Sequence, residues 1–237
     1  MFCGDTVALG LKVVPDIAFI IPVLNEQNRI ATLLTRLRAS FPDSELIVVD
    51  GGSVDRTVAE AMPLCTRLLI GEAGRASQMN LGGRATGADF LCFLHADSMP
   101  QVSSDRLQAY FATRPLWGFF RVRLDGTSAV FRVIEWFMNW RSRLTAVATG
   151  DQMLFLQRAV FEQTGGFDPI PLMEDVAYSK RLRRLTPPLV IAEPVVTSSR
   201  RWQQRGVLRT VLSMWGLRLA YFAGVSPQRL RQYYYGR

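Results

Sequence analysis

The sequence is poor in the residues that build disulfide scaffolds, histidine metal cages and membrane spans. Its three cysteines (Cys3, Cys65 and Cys92) lie far apart without CxxC spacing. That excludes a disulfide framework or a zinc cage and fits a reducing cytosol. His95 is the only histidine, so a three-histidine zinc site is excluded and a Ser-His-Asp triad would depend on it alone. No GxSxG elbow accompanies it. A GxxxxGK[ST] P-loop is absent, and no GxGxxG follows the first apolar run, so neither nucleotide fingerprint is present. No apolar stretch reaches the roughly 18 uncharged residues of a membrane span. The opening MFCGDTVALGLKVVPD has no basic segment leading into an apolar one, so no secretory signal is expected. Lysine is nearly absent: of the 28 basic residues, 26 are arginine.

What is present is globular. Hydrophobic residues make up 49% of the 237 and charged residues 20%, which excludes disorder as the main state and allows a sizeable core. The net charge of +8 is uneven, with 8 basic and 11 acidic residues over 1–100 against 20 basic and 9 acidic over 101–237. A basic C-terminal part suits phosphates, anionic lipid or nucleic acid; an arginine-rich genome would produce the same bias without any function. The arginine clusters carry no zinc finger or RNA-recognition signature, so nucleic-acid binding would rest on charge alone and no nucleic-acid partner is expected.

The hydrophobic pattern alternates strand and helix over the first 100 residues. DIAFIIPV (16–23), ELIVVD (45–50), RLLI (67–70) and DFLCFLHAD (89–97) read as buried strands. Between them, Ile30, Leu33, Leu34 and Leu37 recur at helical spacing, with Asn25 expected as the cap. Ser53 is expected to cap a helix near Val54, and 74–87 reads as a helix stopped by Gly87, with Gly82-Gly83 as a close-packing point. This alternation predicts an α/β fold whose mostly parallel central sheet is covered by helices on both faces. Beyond Pro100, GFFRVRL (118–124) reads as an antiparallel or edge strand and DQMLFLQ (151–157) as another strand. Residues 128–148, 173–185 and 203–224 read as helices. With no repeat or low-complexity linker, the expected organisation is one domain over 1–205, with halves 16–100 and 101–205, and a helical extension over 206–237.

In an open parallel sheet, ligands bind at the carboxyl ends of the strands. Four polar groups fall there: Pro22-Val23-Leu24-Asn25-Glu26, Asp50-Gly51-Gly52-Ser53, Gly71-Glu72 leading to Arg75, and His95-Ala96-Asp97. Asp97 can hold a hard divalent ion that bridges phosphate oxygens, or cap the next helix. His95 can ligate, hydrogen-bond or pack. Glu174-Asp175, after a Gly- and Pro-rich loop, can complement a helix dipole or act as a general base. Trp117, Trp136, Phe137, Trp140, Trp202 and Trp215 can line an apolar channel or fill the core, and core is expected for at least half. The helix over 203–224 suits a membrane interface, an internal packing role or a homodimer contact.

FIIPVLNE (19–26), VVDGGSVDRT (48–57), the HADS (95–98) closing an apolar strand and PLMEDV (171–176) resemble successive motifs of family 2 glycosyltransferases of the GT-A fold. GRASQMN (74–80) with A-x-G (85–87), GDQ (150–152), GGF (165–167) and SSRRW (198–202) resemble a short bacterial subgroup. The likeness implies a nucleotide-diphosphate sugar donor, with uridine as the default base, and inverting transfer to an acceptor hydroxyl or carboxyl. It implies that Pro22, Val23, Asn25 and Glu26 border base and ribose, and that Asp50 accepts from an N–H edge of the base, with Gly51 and Ser53 in the same loop. His95 would face the donor nucleotide and Arg75 the base or diphosphate. Asp97 would carry a Mn2+ or Mg2+ ion, and Asp175, paired with Glu174, would deprotonate the acceptor. Asp151, Gln152, Arg201 and Trp202 would lie near acceptor and diphosphate. The sequence departs from the family pattern at His95 in place of the first acid of DxD, at Gly51 in place of the second acid of DDGS, and at Ser198 in place of the Gln of QxxRW. The last departure argues against a processive polymerase. A cytoplasmic protein, peripheral on the inner membrane face and acting on a lipid or small molecule, is the expectation; a degenerate nucleotide-sugar-binding protein and a basic membrane-surface or nucleic-acid-binding protein are the alternatives.

Overall fold

The computed structural model describes residues 14–200, 203 and 206–235. In chain order the elements are β1 (Ile17–Val23), α1 (Ile30–Ser40), β2 (Glu45–Asp50), α2 (Thr57–Ala61), β3 (Arg67–Ile70), α3 (Arg75–Arg84), β4 (Phe90–Phe93), β5 (Ser98–Pro100), α4 (Ser104–Ala112), β6 (Trp117–Leu124), α5 (Ala129–Thr145), a 3-10 turn (Gly150–Gln152), β7 (Leu154–Gln157), α6 (Arg158–Thr164), α7 (Glu174–Leu182), β8 (Leu189–Thr197), α8 (Val207–Phe222) and α9 (Pro227–Tyr235). The strands form one eight-stranded sheet in the order β3-β2-β1-β4-β7-β6-β8-β5. β1 to β4 pair in parallel, as do β6 and β8, while β7 and β5 run against their neighbours. The sheet is therefore mostly parallel, as expected.

β1 is apolar along its whole length because both of its faces are covered. Ile17, Phe19, Ile21 and Val23 point into a core shared with Leu33, Leu34 and Leu37 of α1 and Leu107 and Phe111 of α4. Ala18 and Ile20 point the other way, towards Ala76 and Met79 of α3, Phe161 of α6 and Tyr178 of α7. Each large side chain fully removed from water contributes about 1.5–3 kcal/mol, so this central strand and its two helix layers anchor the fold. Gly82 and Gly83 are the close-packing point anticipated. A Cβ on Gly82 would lie 2.5 Å from Ile20, and one on Gly83 2.7 Å from Phe161.

Several local expectations are corrected. α1 starts at Ile30 and α2 at Thr57, so neither Asn25 nor Ser53 caps a helix. α3 ends at Arg84, short of Gly87. β4 stops at Phe93, leaving His95 and Asp97 in the loop beyond it. Asp97 caps no helix either: Ser103 caps α4 by accepting from the Arg106 amide. β6 is no edge strand; it lies between antiparallel β7 and parallel β8. Residues 150–152 form a turn, so β7 is shorter than 151–157, and the helices expected over 128–148, 173–185 and 203–224 are trimmed at their ends. Of the aromatics expected to be mainly core, Trp117 is buried, whereas Trp136, Phe137, Trp140 and Trp215 are exposed. Their helices have only one face against the protein. Trp202 lies outside the described residues. Among those residues, no helix is long and apolar enough to cross a membrane.

Candidate active site

The pairing of Phe93 with Leu154 across β4 and antiparallel β7 decides where the polar groups meet. It sets the residues that follow β4 beside those that precede β7, at the edge where parallel β1 and β2 also end.

One wall is built from the loops after β1 and β2. They are laced together: the Asn25 amide donates to Ser53 Oγ (2.8 Å), the Val54 amide to Asn25 Oδ1 (2.9 Å) and the Glu26 amide to Thr57 Oγ1 (2.7 Å). Asn25 adopts φ 56°, a conformation asparagine tolerates better than most residues. Its sequence position suggests a cap, but its side chain serves this interloop contact. Beneath the loops, Gln78 of α3 donates through Nε2 to the carbonyls of Val23 and Val49, both at 2.8 Å. A Cβ at Gly51, where the resemblance expects an acid, would lie 3.0 Å from that amide, so any side chain there would press on Gln78.

Asp50 is buried at the end of β2. Its Oδ2 accepts from the Gly52 and Ser53 amides, both at 2.9 Å. Its Oδ1 is buried with no hydrogen-bond partner among the described residues. An acceptor left in that state is costly unless a ligand donates to it. Pro22 and Val23 are buried, Asn25 exposed and Glu26 half-buried. Burial raises the Glu26 pKa and the charge of Asp97 adds to this, against the opposing Arg29 at 3.1 Å. Glu26 and Asp97, in the loops beyond the paired ends of β1 and β4, thus share one field. Asp97 is exposed, and its Oδ1 accepts from Ser98 Oγ at 3.2 Å.

The opposite wall is carried by the turn before β7 and the start of α7. The His95 ring lies on Gly150, where a Cβ would clash with Cε1, and its Nδ1 is 3.7 Å from Asp151 Oδ1. The Gly150 amide donates to Asp175 Oδ2 at 2.6 Å, and Asp175 Oδ1 accepts from the Val176 amide at 2.7 Å. A continuous chain of contacts therefore runs from the Asp97 loop through His95 and Gly150 to Asp175. Glu174 is 5% exposed. Burial raises its pKa first and the charge of Asp175 second, with Arg75 and His95 opposing. The structure thus brings Arg75, His95, Glu174 and Asp175 together. Gln152 does not face the site. It is fully buried, takes Ser142 Oγ (2.7 Å) and the Thr149 amide (3.1 Å) on Oε1, and donates to the Phe120 carbonyl. Arg201 and Trp202 lie outside the described residues.

Two residues not assigned to the site from the sequence lie near Asp175. Arg141 of α5 and Arg218 of α8 are both largely buried. Burial and the charge of Arg218 pull the Arg141 guanidinium down to about 9, still protonated at neutral pH, with Asp175 opposing. Burial lowers Arg218 as well, against Asp175 and Asp151. They lie 77 positions apart on two different helices, so no local motif marks them.

Residues 18–161 match the family model described as Glycosyl transferase family 2. The chain belongs to this family. No curated protein matches the sequence of this family 2 chain. Solved structures share its fold: TarS 1-349 of S. aureus in complex with UDP has a TM-score of 0.61 and 16% identity over 77% of this chain and 60% of that one. The mannosyltransferase PcManGT of Pyrobaculum calidifontis, in complex with GDP-Man and Mn2+, has a TM-score of 0.58 and 20% identity over 78% and 56%. Glucosyl-3-phosphoglycerate synthase of Mycobacterium tuberculosis, in complex with Mn2+, UDP and glucosyl-3-phosphoglycerate, has a TM-score of 0.55 and 16% identity over 78% and 72%. The family 2 chain thus spans a little over half the length of the first two. These likenesses establish a GT-A architecture.

Proposed function

We propose that this family 2 chain is an inverting glycosyltransferase that moves a sugar from a nucleoside diphosphate sugar, with uridine as the base, to an acceptor hydroxyl or carboxyl. The observation that carries the reading is the buried, unpaired Oδ1 of Asp50 at the end of β2: uracil offers one N–H, and this carboxylate has one unused acceptor. Pro22, Val23, Asn25 and Glu26 line the base and ribose side, with the Gly51-to-Ser53 loop beneath. Arg75 and His95 face the diphosphate from α3 and the β4 loop. UDP and GDP-Man in the related structures support this donor class.

In the reaction, Asp175 takes the acceptor proton while the acceptor oxygen attacks the anomeric carbon and the bond to the diphosphate breaks. One in-line displacement inverts the anomeric centre. The Gly150 and Val176 amides hold the Asp175 carboxylate in position for this. Glu174, whose ionisation is disfavoured by burial, keeps a second full charge away from the base, and Arg75 faces the charge that develops on the leaving group. The donor set suits a divalent cation in one mode only. Among the described residues no cluster of three His, Cys, Asp or Glu could hold a metal by itself. Mg2+ or Mn2+, however, binds through one or two carboxylates plus substrate phosphates, and Asp97, with Glu26 in its field, supplies that. When bound, the cation offsets charge on the departing diphosphate. Mn2+ in two related structures supports the assignment.

We extend the proposal to a peripheral contact with the inner membrane face. Trp136, Phe137 and Trp140 of α5 and Leu212, Trp215 and Leu219 of α8 are exposed on neighbouring helices, joined where Met138 and Val211 pack on one cluster. Exposed Arg132, Arg143 and Arg209 on the same helices suit anionic headgroups. The deciding experiment is a thermal-shift panel of nucleoside diphosphate sugars with and without Mn2+. A UDP-sugar should raise Tm most, and more with the cation, since a ligand stabilises only through preferential binding to the folded state. No shift with any nucleotide would overturn the reading.

A further inference from the structure

We infer that Arg141 and Arg218 form a binding site for an oxyanion carried by the acceptor, so that the co-substrate is a phosphorylated or carboxylated alcohol. The inference rests on the transferase reading for its substrate, but the site stands on its own geometry.

Arg141 lies in the last turn of α5. Its Nη2 donates to Ser142 Oγ (2.8 Å), and that hydroxyl donates to Gln152 Oε1 (2.7 Å), which ties the guanidinium to the turn carrying Asp151. Arg218 follows Leu217, which packs with Val147, Met173 and Val176 in the cluster around the start of α7. Two helices thus deliver one guanidinium each to the neighbourhood of Asp175. The Nε of each is buried without a hydrogen-bond partner among the described residues. Neither arginine is within ion-pairing distance of a described carboxylate, whereas Arg29, Arg132, Arg158 and Arg181 each are. The nearby acids are committed elsewhere: both Asp175 oxygens take backbone amides, and Asp151 faces His95.

Two like charges brought together away from water, with orphaned donors, are costly unless an anion joins them. A guanidinium fork matches phosphate or carboxylate in two-point geometry. The side on which they lie favours the acceptor over the leaving diphosphate. The base side of the site is the wall made by Asp50 and the β1 and β2 loops. Arg141, tied to the 150–152 turn, and Arg218, beside Leu217 on the start of α7, belong to the opposite wall, which carries Asp175. An acceptor anion held there would fix the neighbouring hydroxyl against the base.

The test is calorimetric titration of inorganic phosphate into the full chain, first alone and then with saturating UDP and Mn2+. Wild type should bind phosphate in both cases. Arg218→Gln and Arg141→Gln should each weaken phosphate binding at least tenfold while shifting UDP affinity less than twofold. If one variant fails to fold, the other reads the same site, and Arg218→Lys should retain part of the binding through its charge. Absence of phosphate binding in wild type, or binding indifferent to both arginines, would overturn the inference. So would a loss of UDP affinity in place of phosphate affinity, because the arginines would then serve the leaving group. Failure to bind UDP with phosphate binding intact would remove the transferase reading and leave the oxyanion site. Displacement of phosphate by glycerol 3-phosphate or by phosphatidate vesicles identifies a soluble acceptor or a lipid headgroup, respectively.

Discussion

Replacing Asp50 by Asn tests the donor assignment at a single atom. Oδ2 already accepts from the Gly52 and Ser53 amides at 2.9 Å each. In the variant the amide oxygen must keep those two bonds, or both backbone donors lose their acceptor. The new NH2 group is therefore forced to where Oδ1 now sits unpaired. A charge-assisted acceptor becomes a donor, facing the uracil N–H. Losing such a bond costs about 1.5–3 kcal/mol, which corresponds to about a 10- to 150-fold weaker Kd for UDP. Cytosine presents a ring-nitrogen acceptor at the same position, so the preference for UDP over CDP should narrow by at least the same factor. Calorimetry with both nucleotides, with Mn2+ present throughout, measures this directly. Thermal unfolding should change little, because the loop keeps its hydrogen bonds. An Asp50→Asn protein that binds UDP as tightly as wild type would refute the reasoning, since no base N–H could then be meeting Oδ1.

The remaining expectations concern the reacting centre and the surface. Asp175→Asn should retain UDP binding and lose about 100- to 10,000-fold in transfer; normal turnover by product chromatography would remove the base assignment. The same variant leaves one of the Gly150 and Val176 amides facing an NH2 group, so its Tm should also fall. Asp97→Ala should abolish the cation-dependent part of donor affinity, and donor binding that still responds to Mn2+ would count against its role. Glu174 has a raised pKa in the folded chain, so the native state holds its proton to higher pH than the unfolded state, and stability falls as pH rises from about 4.5 through the folded value. Glu174→Gln should therefore unfold at higher temperature than wild type at pH 7, and an unchanged pH profile of Tm would contradict the burial argument. Trp136→Ser with Trp140→Ser should reduce co-sedimentation with anionic vesicles; unchanged sedimentation, or a loss of dimer by size exclusion instead, would reassign that face.

Much of the wall formed by the β1 and β2 loops was legible in the sequence. A fully buried parallel strand is a continuous apolar run, so β1 and β2 announced themselves, and polar residues at four successive strand ends marked the edge where the candidate site lies. The capping roles assigned to Asn25 and Ser53 failed because short polar side chains satisfy backbone donors equally well across 28 or 29 residues as across three. β8 was unread because Glu193 and Pro194 interrupt its apolar pattern, and the register shift in its pairing with β6 occurs at that point. Burial of Gln152 was hidden since a glutamine pinned by Ser142 looks the same in sequence as one facing solvent. Arg141 was one among many arginines, and Arg218 read as a residue of a membrane-facing helix, until the packing of α8 on the start of α7 placed Arg218 at the site.

The seat of Gln78 under Gly51 couples those two positions mechanically. An aspartate at 51, as the commoner family motif would have it, would push into the amide that ties together the ends of β1 and β2. Relatives that carry the acid should therefore hold a smaller residue at 78. An engineer who grafts the commoner motif onto this chain should change both codons to keep the ends of β1 and β2 tied together.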